Sequence, residues 1–164
     1  MADPSALTHK WIAIVHNSLS ERKGTIKDRV EGGIAFQLHT QKALELDPSD
    51  PTLHYMMGRF CYDISFLTWI ERQGARAISG KEPPKATVSD ALGYFEKAYS
   101  MKPCPSFALE IARCYLNLKN DTKAKEFFQI ASSLVPEKDT PFSPEDHDAA
   151  VQATEMLAKL NVKA

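Results

Sequence analysis

The sequence has no long apolar run. The longest, Trp11 to Val15, is five residues, against the roughly 20 that a membrane-spanning helix requires, so no membrane insertion by this chain is expected. The opening MADPSALTHKW lacks the basic segment and apolar stretch of a secretory leader. Charge of one sign is not in excess either. Twenty lysines and arginines face 21 aspartates and glutamates, a formal net charge of −1. A dedicated nucleic-acid binder usually carries a broad basic surplus, so no nucleic-acid partner is expected. Cysteine is scarce. Cys61, Cys104 and Cys114 are odd in number and have no CxxC spacing, which favours a reduced compartment; Cys61 and Cys114, within helical apolar patterns, are expected to be small buried thiols. Seven glycines and few β-branched runs argue against a sheet.

The motifs of common chemistry are missing as well. HExxH, GxSxG, GxxxxGK and GxGxxG do not occur. Ser20 and Lys23 have the SxxK form without its companion motifs. The five histidines, His9, His16, His39, His54 and His147, are scattered, and no two form an obvious metal-ligand pair beside a cysteine or carboxylate cluster; surface or packing roles are expected for them. No strand precedes Gly32-Gly33, so that pair reads as a helix irregularity rather than a phosphate loop. An enzyme, a cofactor and a bound metal are therefore not expected.

What is present is helix. Hydrophobic residues make up 43% of the chain and charged residues 25%, a globular composition. Apolar residues recur at helical spacing in eight stripes: Leu7–Leu19, Ile34–Leu46, Leu53–Ile64, Phe66–Ile78, Ala91–Tyr99, Phe107–Leu116, Ala124–Leu134 and Ala150–Leu160. Thr87 with Asp90 suggests a capping box, and Ser143-Pro144-Glu145-Asp146 a capped start. Pro48, Pro103 and Pro136 follow expected helix ends.

A repeat lies in the spacing. Ala91, Phe95, Ala98 and Pro103 recur as Ala124, Phe128, Ala131 and Pro136, 33 residues on. A two-helix period near 33 or 34 is the tetratricopeptide signature. Gly58 lies 33 residues before Ala91, but Ala112 lies only 12 before Ala124. The earlier repeat thus carries a 21-residue insertion, expected to form an extra helix with a rigid Pro83-Pro84 turn. The expected fold is all-α: a tetratricopeptide-like helical-hairpin solenoid with an inserted helix and a C-terminal capping helix, residues 1–164 forming a single domain. Asp3-Pro4-Ser5 echoes Asp47-Pro48-Ser49, each followed by an aromatic, Trp11 or Tyr55, 44 residues apart. A longer parent with one more N-terminal repeat is therefore expected, its helices packing on Trp11.

Candidate binding residues follow from the repeat. Arg59 and Arg113 occupy equivalent positions after Gly58 and Ala112. They predict a groove with two stacked cations, bordered by Tyr55 and Tyr62, whose guanidinium forks suit carboxylates. The competing reading pairs both arginines with acids of neighbouring helices. Lys10, Arg22, Lys23, Lys27 and Arg29 against Glu21 and Asp28 form a second, basic candidate, which an ordinary solvated helix face would also explain. In the insertion, Trp69 with Arg72 and Arg76 is a candidate partner anchor, unless Trp69 plugs the junction of the inserted helix.

The stretches His9–Ile14, Ala43–Pro48 and His54–Tyr62, then Trp69, Arg72, Arg76 and Ala91–Phe95, resemble the regulator of microtubule dynamics family, from about Asp3 to about Leu160. The resemblance implies a non-catalytic, microtubule-associated protein that modulates microtubule dynamics and spindle function, and with them chromosome segregation. It places the chain in the cytoplasm, on the cytoskeleton and the spindle. Its implied partners are microtubules, and the acidic tubulin tails suit the arginines. The alternative is a cytosolic peptide-binding adaptor for an acidic segment of another protein. The Lys and Asn clamp of a chaperone-tail adaptor looks incomplete, since the matching faces carry Tyr55, Arg59, Leu109 and Arg113.

Overall fold

The computed structural model describes residues 5–23, 25–80, 82–135 and 141–162, without the side chains of Glu21, Lys23, Asn161 and Val162. Among these residues there are eight helices and no strand: α1 (Ala6–Lys23), α2 (Ile26–Leu46), α3 (Pro51–Ser65), α4 (Trp69–Ser79), α5 (Val88–Met101), α6 (Pro105–Asn117), α7 (Asp121–Ser133) and α8 (Pro144–Val162). The protein is all-α.

Local chemistry sets the boundaries. Thr87 and Asp90 form the expected reciprocal cap, at 2.8 and 3.1 Å, and Ser143 and Asp146 do the same for α8. Asp50 accepts from the Thr52 N–H with Pro51 at the first helical position, the arrangement that proline's fixed φ favours. Thr68 and Glu71 close a full capping box on α4, which therefore starts at Trp69 rather than at Phe66. Gly80 ends α4 in the left-handed conformation, φ 70°, where a side chain would be strained. Pro48 and Pro103 follow the ends of α2 and α5; Pro136 lies outside the described residues, as do Asp3 and Pro4.

Two further findings differ from the sequence reading. α2 begins at Ile26, well before its apolar stripe, because Thr25 caps it through the Asp28 N–H. It also runs unbroken through Gly32-Gly33, so there is no irregularity. Gly32 is instead a point of close approach: a Cβ there would stand 2.6 Å from Ser20 Oγ and 3.2 Å from the His16 carbonyl oxygen.

The chain forms two compact units, residues 1–91 and 92–164. In the first, α1 packs along α2, and α2 also meets α3 and α4. Its core joins Ala13, Ala43, Leu53 and Met56, with Ile14, Phe36 and Leu44 against them. The far side of α1 carries Leu7, Trp11, Val15 and Leu19, all exposed and four residues apart. In the second unit, α6 packs on α7, and α8 on both. Phe95, Ala98, Ala124, Phe128 and Ala131, five of the repeated signature positions, are fully buried there. Small alanines let helix axes approach while the aromatic fills the gap, so Phe95 or Phe128 cut to Ala would leave a cavity costing about 3–5 kcal/mol. α8 is seated through Ala149 and Ala153, and its Asp146 accepts from the Ser106 hydroxyl at 2.6 Å. Cys61, Cys104 and Cys114 are buried, free thiols.

Candidate functional site

α3 lines a concavity of the first unit. Tyr55, Met56, Arg59, Phe60, Asp63 and Ile64 recur along one of its faces. With Asn17 of α1 and Gly33 and Phe36 of α2 they line an open groove of about 610 Å³. Met56 is buried, and Phe36 and Phe60 lie with ring centroids 6.3 Å apart. The groove thus has an apolar floor under a polar rim of Asn17, Tyr55, Arg59 and Asp63.

Of the four residues predicted for a groove, Tyr55 and Arg59 share this one. Arg59 stands 3.7 Å from Asp63 one turn on, both side chains over a third exposed, a geometry of little net worth. Tyr62 is not among the lining residues; its ring meets Phe66 edge-on at 5.0 Å. Arg113 belongs to the second unit. It donates to Glu110 at 2.8 Å and to Gln152 at 2.7 Å, and Glu110 is buried. That guanidinium is engaged within its own unit.

The basic candidates divide. Lys10 donates to Asp50 at 2.6 Å, both side chains about four-fifths buried, and so ties α1 to the start of α3. Burial works to raise the Asp50 carboxyl, but the Lys10 bond and the Thr52 N–H outweigh it and hold it below the usual carboxylate value. Lys27 reaches Glu31 only at 3.7 Å on an exposed face. The Lys23 side chain lies outside the described residues.

The insertion is equally uneven. Trp69 opens α4 and is 73% exposed, beside exposed Ile70 and Phe66, so its ring does not plug a junction. Arg72 donates to the carbonyls of Ile64 at 3.0 Å and Pro84 at 3.2 Å, a tie between the end of α3, α4 and the loop beyond. Arg76 faces Glu82 at 3.5 Å in solvent.

Sequence reasoning missed two features. One is the apolar floor, legible in the pairs 55/56, 59/60 and 63/64 at one-turn spacing. The other is the histidines. His9 and His39 are not scattered: their Nδ1 atoms stand 2.7 Å apart between α1 and α2, a contact that no sequence spacing announces. Among the described residues no group of three or more histidine, cysteine or carboxylate side chains is placed to hold a metal ion. No helix among them is long and apolar enough to cross a membrane.

Comparison with known proteins places the chain. A family model described as regulator of microtubule dynamics protein 1-3 matches residues 1–161. Regulator of microtubule dynamics protein 3 of Xenopus laevis is 38% identical over 157 residues, 94% of this chain and 32% of that protein. Protein 3 of Mus musculus is 38% identical over 144 residues, 85% and 30% of the two chains. Protein 2 of Homo sapiens is 32% identical over 156 residues, 93% and 36%. The chain thus spans about a third of the length of these curated relatives. On a match running through all but its last few residues, the chain belongs to the regulator of microtubule dynamics family.

Proposed function

We propose that this chain acts on microtubules without catalysis, by binding an acidic protein segment in the α3 groove, with the tubulin tail as the first candidate. The observation that carries the reading is the placing of Tyr55 and Arg59 on one rim above an apolar floor. The names of the relatives, regulators of microtubule dynamics, supply the polymer. An incoming carboxylate competes for the Arg59 fork with Asp63, one turn on at 3.7 Å. Trp69 adds a second contact point, as an exposed Trp is a strong interface anchor. The hairpins α1–α2 and α6–α7 are read as helix pairs of tetratricopeptide kind. The setting is the cytoplasm and the cytoskeleton, with the spindle as the place of action.

Co-sedimentation of the purified chain with stabilised microtubules, with and without the acidic tails, tests this. Pelleting that depends on the tails is the expected result; pelleting that ignores their removal refutes the tail as ligand.

A second reading is favoured by the floor. Phe36, Met56, Phe60 and Ile64 offer an apolar seat that a purely acidic tail leaves empty, so an adaptor for an acidic segment bearing a large apolar residue fits the same groove. Peptides of equal charge, with and without one phenylalanine, separate the two readings by their relative affinity.

A further inference from the structure

The seam between α1 and α2 carries three imidazoles. His9 is buried, and its Nδ1 stands 2.7 Å from Nδ1 of His39, with ring centroids 5.0 Å apart. His16, two turns along α1, lies nearly parallel to His39 at 6.3 Å. The bond has a strict proton requirement. One ring must present an N–H and the other a lone pair. Two neutral rings satisfy this, and so does one neutral and one charged ring. Two charged rings do not, because both Nδ1 atoms then carry protons and face each other as like charges.

The surroundings do not relieve that repulsion. The charges bearing on His39 are His9 and His16 from α1 and Lys42 from its own helix, all cationic when charged. Described carboxylates on the elements packed against α2 are engaged elsewhere: Asp50, the cap of α3, by Lys10, Asp63 of α3 by Arg59, and Glu71 of α4 by Thr68 and by the field of Arg29, at the other end of α2. Neither they nor the carboxylates of α2 itself are among the charges bearing on His39.

We propose that the His9–His39 pair is an acid-sensitive latch, which holds α1 on α2 while at least one imidazole is neutral and lets α1 come away once both are charged. The direction of titration agrees. Burial first, then His9, His16 and Lys42, push His39 below the ordinary imidazole value of 6.5. In the window just below that value the unfolded chain binds more protons than the folded one. Stability therefore falls as pH drops through the window and is complete above it. Asn17 of α1 lines the groove beside Phe36 and the α3 face, so release of α1 removes one wall of it. That last consequence rests on the groove reading; the latch itself does not.

Nuclear magnetic resonance on the full chain tests the latch. Two-bond nitrogen–proton spectra of the imidazoles from about pH 8 to about pH 5 give each ring's tautomer and titration. Amide exchange, corrected for the pH dependence of an unstructured chain, gives the protection of α1. Coupled titration of the pair is expected, with α1 protection falling by up to about tenfold per pH unit for each proton taken up, through the window below the ordinary imidazole value, and levelling off once both rings are charged in the folded chain, while α6 and α7 keep theirs. His39→Gln, which bonds without titrating, is expected to remove the acid response. Independent titration of both rings with unchanged α1 protection overturns the latch, and so does an undiminished acid response in His39→Gln. The wild-type titration decides the matter even if that variant does not fold. Microtubule binding is not read, so failure of the groove reading leaves this test intact.

Discussion

Gly32 lets α1 approach α2 closely, and its neighbour Gly33 has open space around it. A Cβ at Gly32 runs into Ser20, which is buried and bonded to the Asn17 carbonyl at 2.8 Å, so Ser20 is not free to move aside. A Cβ at Gly33 meets no atom within 4 Å. The two substitutions therefore separate helix propensity from packing. Gly33→Ala is expected to stabilise by about 0.5–1 kcal/mol. Gly32→Ala gains the same propensity but adds an overlap of about 1–3 kcal/mol, a net loss in urea unfolding; equal gains at both sites would refute the close contact. Cys104 makes a second residue-scale case. Burial pushes its thiol up to about 12, with the Phe107 N–H offsetting only part of the effect. At about pH 8 only about one molecule in ten thousand then carries the thiolate. Iodoacetamide should leave Cys104 untouched in the native chain and modify it in urea; rapid native labelling would show an open site.

α4 is the element least held by apolar packing, since none of its residues is fully buried. Its hold rests on the Thr68–Glu71 box and on the Arg72 guanidinium spanning two carbonyls. Charged hydrogen bonds of this kind contribute about 1.5–3 kcal/mol each, here to a local unit rather than to the core. Arg72→Ala is thus expected to speed trypsin cleavage after Arg76 and Lys85 at least tenfold, with little change in the Tm of the whole chain; an unchanged cleavage rate would show that α4 is held otherwise. Helices of this chain were legible where burial repeats every turn. Ala91, Phe95 and Ala98, and Ala124, Phe128 and Ala131, announce α5 and α7 because each small or aromatic residue fills a fixed place in the packing. The first turns of α2 were not legible, since Lys27, Arg29 and Glu31 face water and only the Thr25 cap marks the start. The candidate site divides the same way. Tyr55 and Arg59 share a face one turn apart and could be placed together from sequence. The engagements of Lys10 with Asp50, Arg72 with two carbonyls, and His9 with His39 join residues 8 to 40 positions apart, and helical periodicity says nothing about such partners.

For the whole molecule, the proposed binding of an acidic segment makes the distribution of charge decisive. A balanced chain of net charge −1 has no broad excess of charge to draw it to an acidic polymer from a distance, and cations named from the sequence have acids at hand: Lys10 with Asp50, Lys27 with Glu31, Arg59 with Asp63, Arg76 with Glu82, Arg113 with Glu110. Attraction by a broad basic face would weaken steeply with salt, because exposed charges are screened beyond about 8 Å at physiological ionic strength. Recognition by one guanidinium above an apolar floor depends on contact and on removal of water, and responds less. Microtubule affinity is therefore expected to fall less than tenfold between about 50 and about 200 mM salt. Arg59→Glu should weaken it tenfold or more, since it sets a like charge against the acidic segment, while Lys27→Glu on its exposed helix face should change it less than twofold. Equal losses from the two substitutions, together with a steep salt response, would locate binding on the basic face of α1 and α2 and leave the α3 groove without a role.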